Sequence, residues 1–310
     1  MAPPRPFRFG VQGRSVGPRD VWLEGVRRVE AHGYSSFLVL DHFVRGLDPI
    51  VALSAAAMVT TSLRVGSLVF ANDFRHPAVL AKAAASIDVL SGGRLELGIG
   101  AGWLREEYEQ TGIPFDPAGI RIDRMIEAVH LIKAAFGDDP VSFSGAHYTL
   151  TDLILPPKPV QQPHPPIMIG GGSKRILSVA AREADIVGIT TRALPDGSKD
   201  TADMTAASTA RKVGWVRDAA RDRFDDLELS MVVSHVIVTE DRRRAAEALA
   251  GDLGLTPEDV LASPLTLIGT RDEMVEDLET CRDTLGLSYI VVQEGNMDAL
   301  VPVVARLTGR

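Results

Sequence analysis

An aspartate and a histidine stand side by side at Asp41-His42, directly behind the apolar run Phe37-Leu38-Val39-Leu40. A histidine at the end of a buried segment can serve as base, acid or hydrogen-bond donor. Adjacent side chains of an extended chain diverge, so one of the pair can meet a ligand while the other braces a loop. The same pair would also suit a loop-capping aspartate beside an internally satisfied histidine. A second group is Gly170-Gly171-Gly172-Ser173-Lys174-Arg175. Glycines let backbone N–H groups approach an anion, Ser173 can cap a following helix, and the helix N-terminus favours phosphate. Lys174 and Arg175 add positive charge. The spacing is not that of a P-loop, and a tight turn is the other use of such a run. A third group is Gly98-Ile99-Gly100-Ala101-Gly102-Trp103. Small residues at Gly100 and Gly102 would let a flat ring lie close, and Trp103 could cover it or pack under the loop 111–117.

Other chemistries find less to work with. The seven histidines include no H-x-H or H-E-x-x-H spacing, so no metal site is expected. A G-x-S-x-G elbow is absent. The single cysteine, Cys281, lies in a helical pattern and reads as a packed small hydrophobe. A formal net charge of −8 argues against nucleic acid and anionic membranes, so an anionic ligand needs a local positive patch. The first residues, Met1-Ala2-Pro3-Pro4-Arg5-Pro6, carry no apolar signal core, and no stretch reaches the roughly 20 apolar residues of a membrane span. A cytoplasmic protein acting on a small molecule is expected.

The elements that must position these residues alternate strand and helix along the chain. Strands are expected at 7–13, 35–42, 63–70, 94–100, 166–171, 185–191, 229–239 and 289–293, each followed by a helical pattern. With 45% hydrophobic and 24% charged residues, the chain can fill a large core. Continuous apolar strands belong to parallel sheets covered on both faces. The first strand lacks the G-x-G-x-x-G turn of a dinucleotide fold. Residues 1–310 therefore read as one α/β domain, a (β/α)8 TIM barrel with insertions after strands 4, 6 and 7. In such a barrel the strand C-termini ring the site. That places Gln12, Asp41, His42, Asn72, Gly100 to Trp103, Gly170 to Ser173, Thr190, Thr191, His235 and Glu294 near its mouth. The helical segments 50–60 and 77–90 are small and apolar where an outer helix should be polar on one face, which suggests a homodimer.

Taken in order, these motifs resemble the luciferase-like monooxygenase superfamily. The resemblance rests on Phe9-Gly10-Val11-Gln12, Phe37 to Phe43, Leu63-Arg64-Val65-Gly66-Ser67, Phe74-Arg75-His76-Pro77, Gly92 to Trp103 and Ile167 to Gly172. It runs from about Phe7 to Leu307 and is nearest to the branch that uses the deazaflavin F420. It implies His42 as the catalytic, proton-handling residue and Asp41 near the cofactor. It also implies a non-proline cis peptide at Leu68-Val69, and a cofactor phosphate held by Gly170, Gly171, Gly172 and Ser173 with Thr190 nearby. Asn72, Gly100 and Gly102 are expected on the cofactor as well, and Gln12, Trp103 and Glu294 in the substrate pocket. Two departures stand out. Sugar-phosphate dehydrogenases of this group carry a tryptophan shortly after the Asp-His pair, where this chain has Val44-Arg45-Gly46. They also carry a glutamate where Trp103 stands, so glucose 6-phosphate is not the expected substrate. The expected activity is hydride transfer between F420 and a small organic substrate. The alternatives are an FMN-dependent monooxygenase and a barrel that binds flavin without turnover.

Overall fold

The computed structural model describes residues 4–14, 16–194 and 198–310. Its centre is a closed ring of parallel strands: β1 Arg8–Gly13, β2 Ser36–Val39, β3 Arg64–Ser67, β4 Leu95–Gly100, β5 Ile167–Gly171, β6 Ile186–Ile189, β7 Glu228–Val233 and β8 Leu287–Gln293. Each pairs with the next, and β8 returns to β1 with Phe9 opposite Ile290 and Val11 opposite Val292. This is the (β/α)8 barrel expected from the alternation.

Period-2 alternation divides the strand side chains into two sets. Phe9, Val11, Val65, Leu97, Ile99, Ile169 and Val292 face outward and join the helices in the main apolar core. Leu38, Met168, Ile186, Tyr289 and Val291 form a separate cluster inside the barrel. Local signals set the helices around it. Pro49 opens the helix Pro49–Val59, and the Asp48 side chain accepts the Val51 N–H. Pro77 opens Pro77–Ser91, which Gly92 ends in the left-handed region at φ 69°. Thr270 and Glu273 form a capping box at the start of Arg271–Leu285.

Two of the expected strand runs are interrupted. The run 63–70 is interrupted after Ser67 by a cis peptide between Leu68 and Val69, beyond which Phe70–Ala71 pairs with β4. The run 229–239 splits at Ser234. Its first half is β7; its second half, His235–Val238, leaves the barrel and pairs in parallel with Thr266–Gly269, a strand not anticipated from the sequence. Ala246, Ala250, Val260 and Ile268 pack beside it as a small core of their own. The apolar run was continuous because both halves are covered, but by different elements.

Candidate active site

The C-terminal ends of the strands bring His42, Trp103 and a carboxylate together. The Nδ1 of His42 lies 2.8 Å from Oε2 of Glu107, which is buried at the start of the helix Arg105–Thr111. The other oxygen of Glu107 accepts the N–H groups of Phe43 and Val44 at 3.0 and 3.3 Å. One buried carboxylate thus fixes both the imidazole and the turn that follows it. With Nδ1 engaged, Nε2 is the nitrogen left to meet a ligand. The Trp103 ring stands edge-on to the imidazole at 5.9 Å, so it covers the histidine. The loop 111–117 is anchored instead by Phe115, which packs on Tyr108 and under Arg121.

Asp41 is turned away from this group. Arg75 grips it with two bonds of 2.5 and 3.0 Å, and the Ala71 N–H donates to Oδ2 at 2.8 Å. Both of its oxygens therefore hold the segment that follows the Leu68-Val69 cis bond. Asn72 is buried there too, donating to the Tyr148 hydroxyl at 3.1 Å from the accessory hairpin Val141–Ser144 and Thr149–Leu153.

The glycines of β4 have a different reason from the one expected. A Cβ on Gly98 would lie 1.9 Å from the Ser67 carbonyl oxygen, and one on Gly100 would lie 2.6 Å from Val69. At Gly102, with φ 73°, it would meet the Tyr108 hydroxyl at 1.7 Å. A side chain at Gly100 or Gly102 would thus strike Val69 or Tyr108.

The adjoining strands leave more room. Gly170 of β5 pairs with Gly188 of β6, and a Cβ on Gly170 would meet only the Gly188 backbone at 3.6 and 3.9 Å. Beyond them Gly171 makes room for Ile176, and Gly172 for the Thr191–Arg192 backbone at about 2.5 Å. Ser173 is the N-cap of the helix Lys174–Glu183, with its hydroxyl making no cap bond. Lys174 is exposed, whereas Arg175 is paired with Asp123 at 2.5 Å, so half of the expected positive patch is already neutralised. The Thr191 hydroxyl is buried without a hydrogen-bond partner. Thr190 is held from below: its carbonyl accepts Lys212 Nζ at 2.9 Å, and its N–H reaches the Gly171 carbonyl at 3.2 Å. Lys212 is itself buried against Asp203 at 2.5 Å. A free cap hydroxyl, unbonded helix N–H groups and an orphaned buried hydroxyl form a cradle that fits a phosphate.

Two further candidates separate. Gln12 is buried at the end of β1. Glu294 accepts the Arg14 N–H at 3.0 Å and lines a depression with Asp20, Glu24 and Arg28 of the first helix. His235 belongs to the outer strand pair, where burial lowers its pKa below the usual histidine value and Nδ1 has no partner. Burial pushes the Cys281 thiol up to about 12, with Asp277 adding to the effect, so it is not a nucleophile.

Glu107 is the main residue that sequence reasoning missed. In Arg105-Glu106-Glu107-Tyr108-Glu109 it is one acid among three, and adjoining the buried Tyr108 does not set it apart from Glu109. It also bears on the departure at position 103, because a carboxylate stands beside the histidine after all, supplied from the next helix.

Comparison with known proteins identifies the family and the fold. The family model described as luciferase-like monooxygenase matches residues 6–256. An F420-dependent glucose-6-phosphate dehydrogenase of Amycolatopsis mediterranei is 32% identical over 185 residues, 57% of this chain and 55% of its own length. An FMNH(2)-dependent dimethylsulfone monooxygenase of Pseudomonas putida is 37% identical over 109 residues, 35% of this chain and 30% of its own. The chain thus spans less than two thirds of these relatives. The structure of an F420-dependent tetrahydromethanopterin reductase from Methanopyrus kandleri superposes with a TM-score of 0.77 at 17% identity, covering 98% of this chain and all of that one. That likeness concerns the fold.

Proposed function

The chain belongs to the luciferase-like monooxygenase family, whose members here include F420- and FMN-dependent enzymes, and from that premise we propose an F420-dependent oxidoreductase. The observation that carries this reading is His42 fixed by buried Glu107 at the barrel mouth. Bound deazaflavin supplies hydride transfer and reacts poorly with oxygen, which leaves the protein a proton to manage.

The residues of this chain divide that work. Ser173, the helix N-terminus behind it and the Thr191 hydroxyl hold the cofactor phosphate, with Lys174 adding charge. Gly170 and Gly188 leave the floor flat. Glu107 keeps the imidazole in one orientation, so Nε2 of His42 gives or takes the proton at the substrate oxygen or nitrogen. Trp103 and Gln12 shape the substrate side, and Trp103 shields His42 from water.

The dimethylsulfone monooxygenase match supports a second reading, FMN-dependent insertion of one oxygen atom. Titrating the apo-protein side by side with F420 and FMN separates the two. F420 is expected to bind at least tenfold tighter, a difference of about 1.4 kcal/mol. Equal or reversed affinities would move the assignment to the monooxygenase.

A further inference from the structure

Thr191 stands between two peptide groups that are both held by one buried ion pair. The chain leaves β6 at Ile189 and turns through Thr190, Thr191 and Arg192. On one side of Thr191, the Thr190 carbonyl accepts Lys212 Nζ at 2.9 Å. On the other, the Arg192 N–H donates to Oδ2 of Asp203 at 2.8 Å, and the Arg192 carbonyl accepts the Asp200 N–H at 2.9 Å. Lys212 and Asp203 meet each other at 2.5 Å. The two halves of the pair thus grip the two flanks of a single residue.

The pair is saturated. Lys212, on the helix Ala206–Ala220, is fully buried, and its three ammonium donors have the Asp203 carboxylate, the Thr190 carbonyl and, at 3.4 Å, the Asp203 carbonyl. Asp203 is buried too, and its other oxygen accepts the Ser208 hydroxyl. Burial would raise the Asp203 pKa, but the bonds from Lys212, Ser208 and Arg192 outweigh it and hold the carboxyl below the usual carboxylate range. Two charges taken out of water add little net stability, because apolar residues of similar volume often serve as well. What this pair adds is orientation of the backbone beyond β6.

That orientation presents the Thr191 side chain. Thr191 is 8% exposed, and among the described residues its hydroxyl has no hydrogen-bond partner. Buried hydroxyls are ordinarily bonded, so an orphan calls for a ligand. Gly172 lies against the same segment: a Cβ there would come within 2.5 Å of the Arg192 nitrogen and 2.6 Å of the Thr191 carbonyl oxygen. Thr191 and the Gly172–Ser173 corner of the cradle therefore share one fixed stretch of backbone.

We propose that Lys212 and Asp203 are positioning residues that set, through the Thr191 hydroxyl, the preference of the site for a phosphate-bearing cofactor. This rests on the cradle reading above. Neither side chain touches the ligand.

The test uses the full chain, titrated with F420 and with its phosphate-free deazaflavin parent, beside a thermal melt. The wild type should favour F420 by about tenfold, the order expected for hydrogen bonds to a charged group. Removing one partner alone would strand a buried charge, so the informative variant is Asp203→Leu with Lys212→Met, which replaces both by apolar residues of similar volume. It should fold, lose about fivefold of the F420 preference and bind the phosphate-free parent as the wild type does. Thr191→Val should lose a similar factor. Adding it to the double variant should cost less than about twofold more, because the pair acts through that hydroxyl. A folded double variant with the full preference overturns the proposal, as do equal losses for both ligands, which would make the pair purely structural. Should the double variant not fold, Lys212→Arg keeps the charge and shifts the donors. A loss confined to F420 then supports the proposal, and an unchanged preference overturns it. Cofactor choice is judged separately, on the wild type. If FMN binds tighter than F420, the same comparison is made between FMN and riboflavin, and the proposal stands or falls on it. If neither phosphate-bearing cofactor outbinds its phosphate-free form, the cradle and the proposal fail together.

Discussion

The two ends of the barrel interior hold similar residue types in opposite states. At the N-terminal end, Arg8 meets Glu228 through two bonds of 2.6 Å and Glu96 at 2.5 Å, and Arg64 reaches the same Glu96 oxygen at 2.7 Å. Tyr289 donates to the other Glu96 oxygen at 3.0 Å, lies 2.5 Å from Ser36 Oγ and has the Arg8 guanidinium stacked 3.6 Å over its ring. Burial alone would raise the pKa of Glu96, but Arg8 and Arg64 hold it below the usual carboxylate range. Every charge there has a partner. At the C-terminal end glycines replace the large side chains, and among the described residues the buried Thr191 hydroxyl has no hydrogen-bond partner. A closed, mutually satisfied network does nothing beyond sealing the barrel, whereas unsatisfied groups around open space await something to bind.

This contrast breaks first at His42. If the open end is where chemistry happens, His42→Ala should lower turnover by about 10²–10⁴-fold, the usual worth of a general acid–base group. Cofactor affinity should move less than threefold. Glu107→Gln should give an intermediate loss with a displaced pH profile, because the amide holds the ring without its charge. Single-turnover kinetics at saturating F420, followed by cofactor absorbance, reads both variants. Turnover within threefold of wild type in His42→Ala would make the pair a scaffold and erase the distinction between the ends.

At the closed end the opposite separation is expected. Glu96→Ala takes the shared carboxylate from the half-buried Arg8 and Arg64, leaving Arg8 only Glu228, and should cost about 3 kcal/mol of stability. A thermal melt measures that loss, and F420 titration of the fraction still folded should return the wild-type affinity. A stable variant with impaired cofactor binding would show that the network serves the mouth after all.

The sequence revealed these regions unequally. Barrel and strand order could be read from the chain because Phe37 to Leu40 and Ile167 to Ile169 are apolar throughout, as strands covered on both faces must be. His42 and the glycine loop were visible as unusual residues at strand ends. Glu107, Arg75 and Gly188 were not, because their roles arise from contacts between separate strand–helix units: Glu107 with His42, Arg75 with Asp41, Gly188 with Gly170. The partner of Glu294, the Arg14 N–H, was not legible for the same reason. Period and propensity report local surroundings, whereas the site is an arrangement among distant segments.

A smaller effect concerns the wall behind β2 and β3. Val51 and Met58 on Pro49–Val59, and Val79 and Leu90 on Pro77–Ser91, are 65, 68, 58 and 60% exposed. These apolar side chains share two adjoining helices, and we propose that a second copy of the chain covers them. Sedimentation equilibrium should find a dimer at micromolar concentration, and Met58→Glu with Leu90→Glu should weaken association at least tenfold. A monomeric wild type would leave the wall unexplained and the mouth without support from that side.

The smallest expected effect tests whether the closed end extends to its surface loops. Glu30, near the end of the first helix, accepts the N–H groups of Thr61, Ser62 and Leu63 at 2.9, 2.7 and 2.9 Å, so it holds the entry to β3. Burial would raise its pKa, but these bonds and the Ser62 hydroxyl outweigh burial and lower it from 4.5 to about 2. A carboxylate depressed on folding binds fewer protons in the native than in the unfolded state between those two values. Its contribution is therefore complete above about pH 5 and declines as pH falls toward 2. Because Glu30 is partly exposed and screened by water, that contribution should not exceed about 1 kcal/mol. Glu30→Gln keeps an acceptor oxygen and removes only the charge. Denaturant melts of the two proteins should differ by that amount at pH 7 and converge as pH falls from 5 toward 3. A constant gap across that range would assign the loss to geometry, and a gap that widens in acid would contradict the depressed carboxylate.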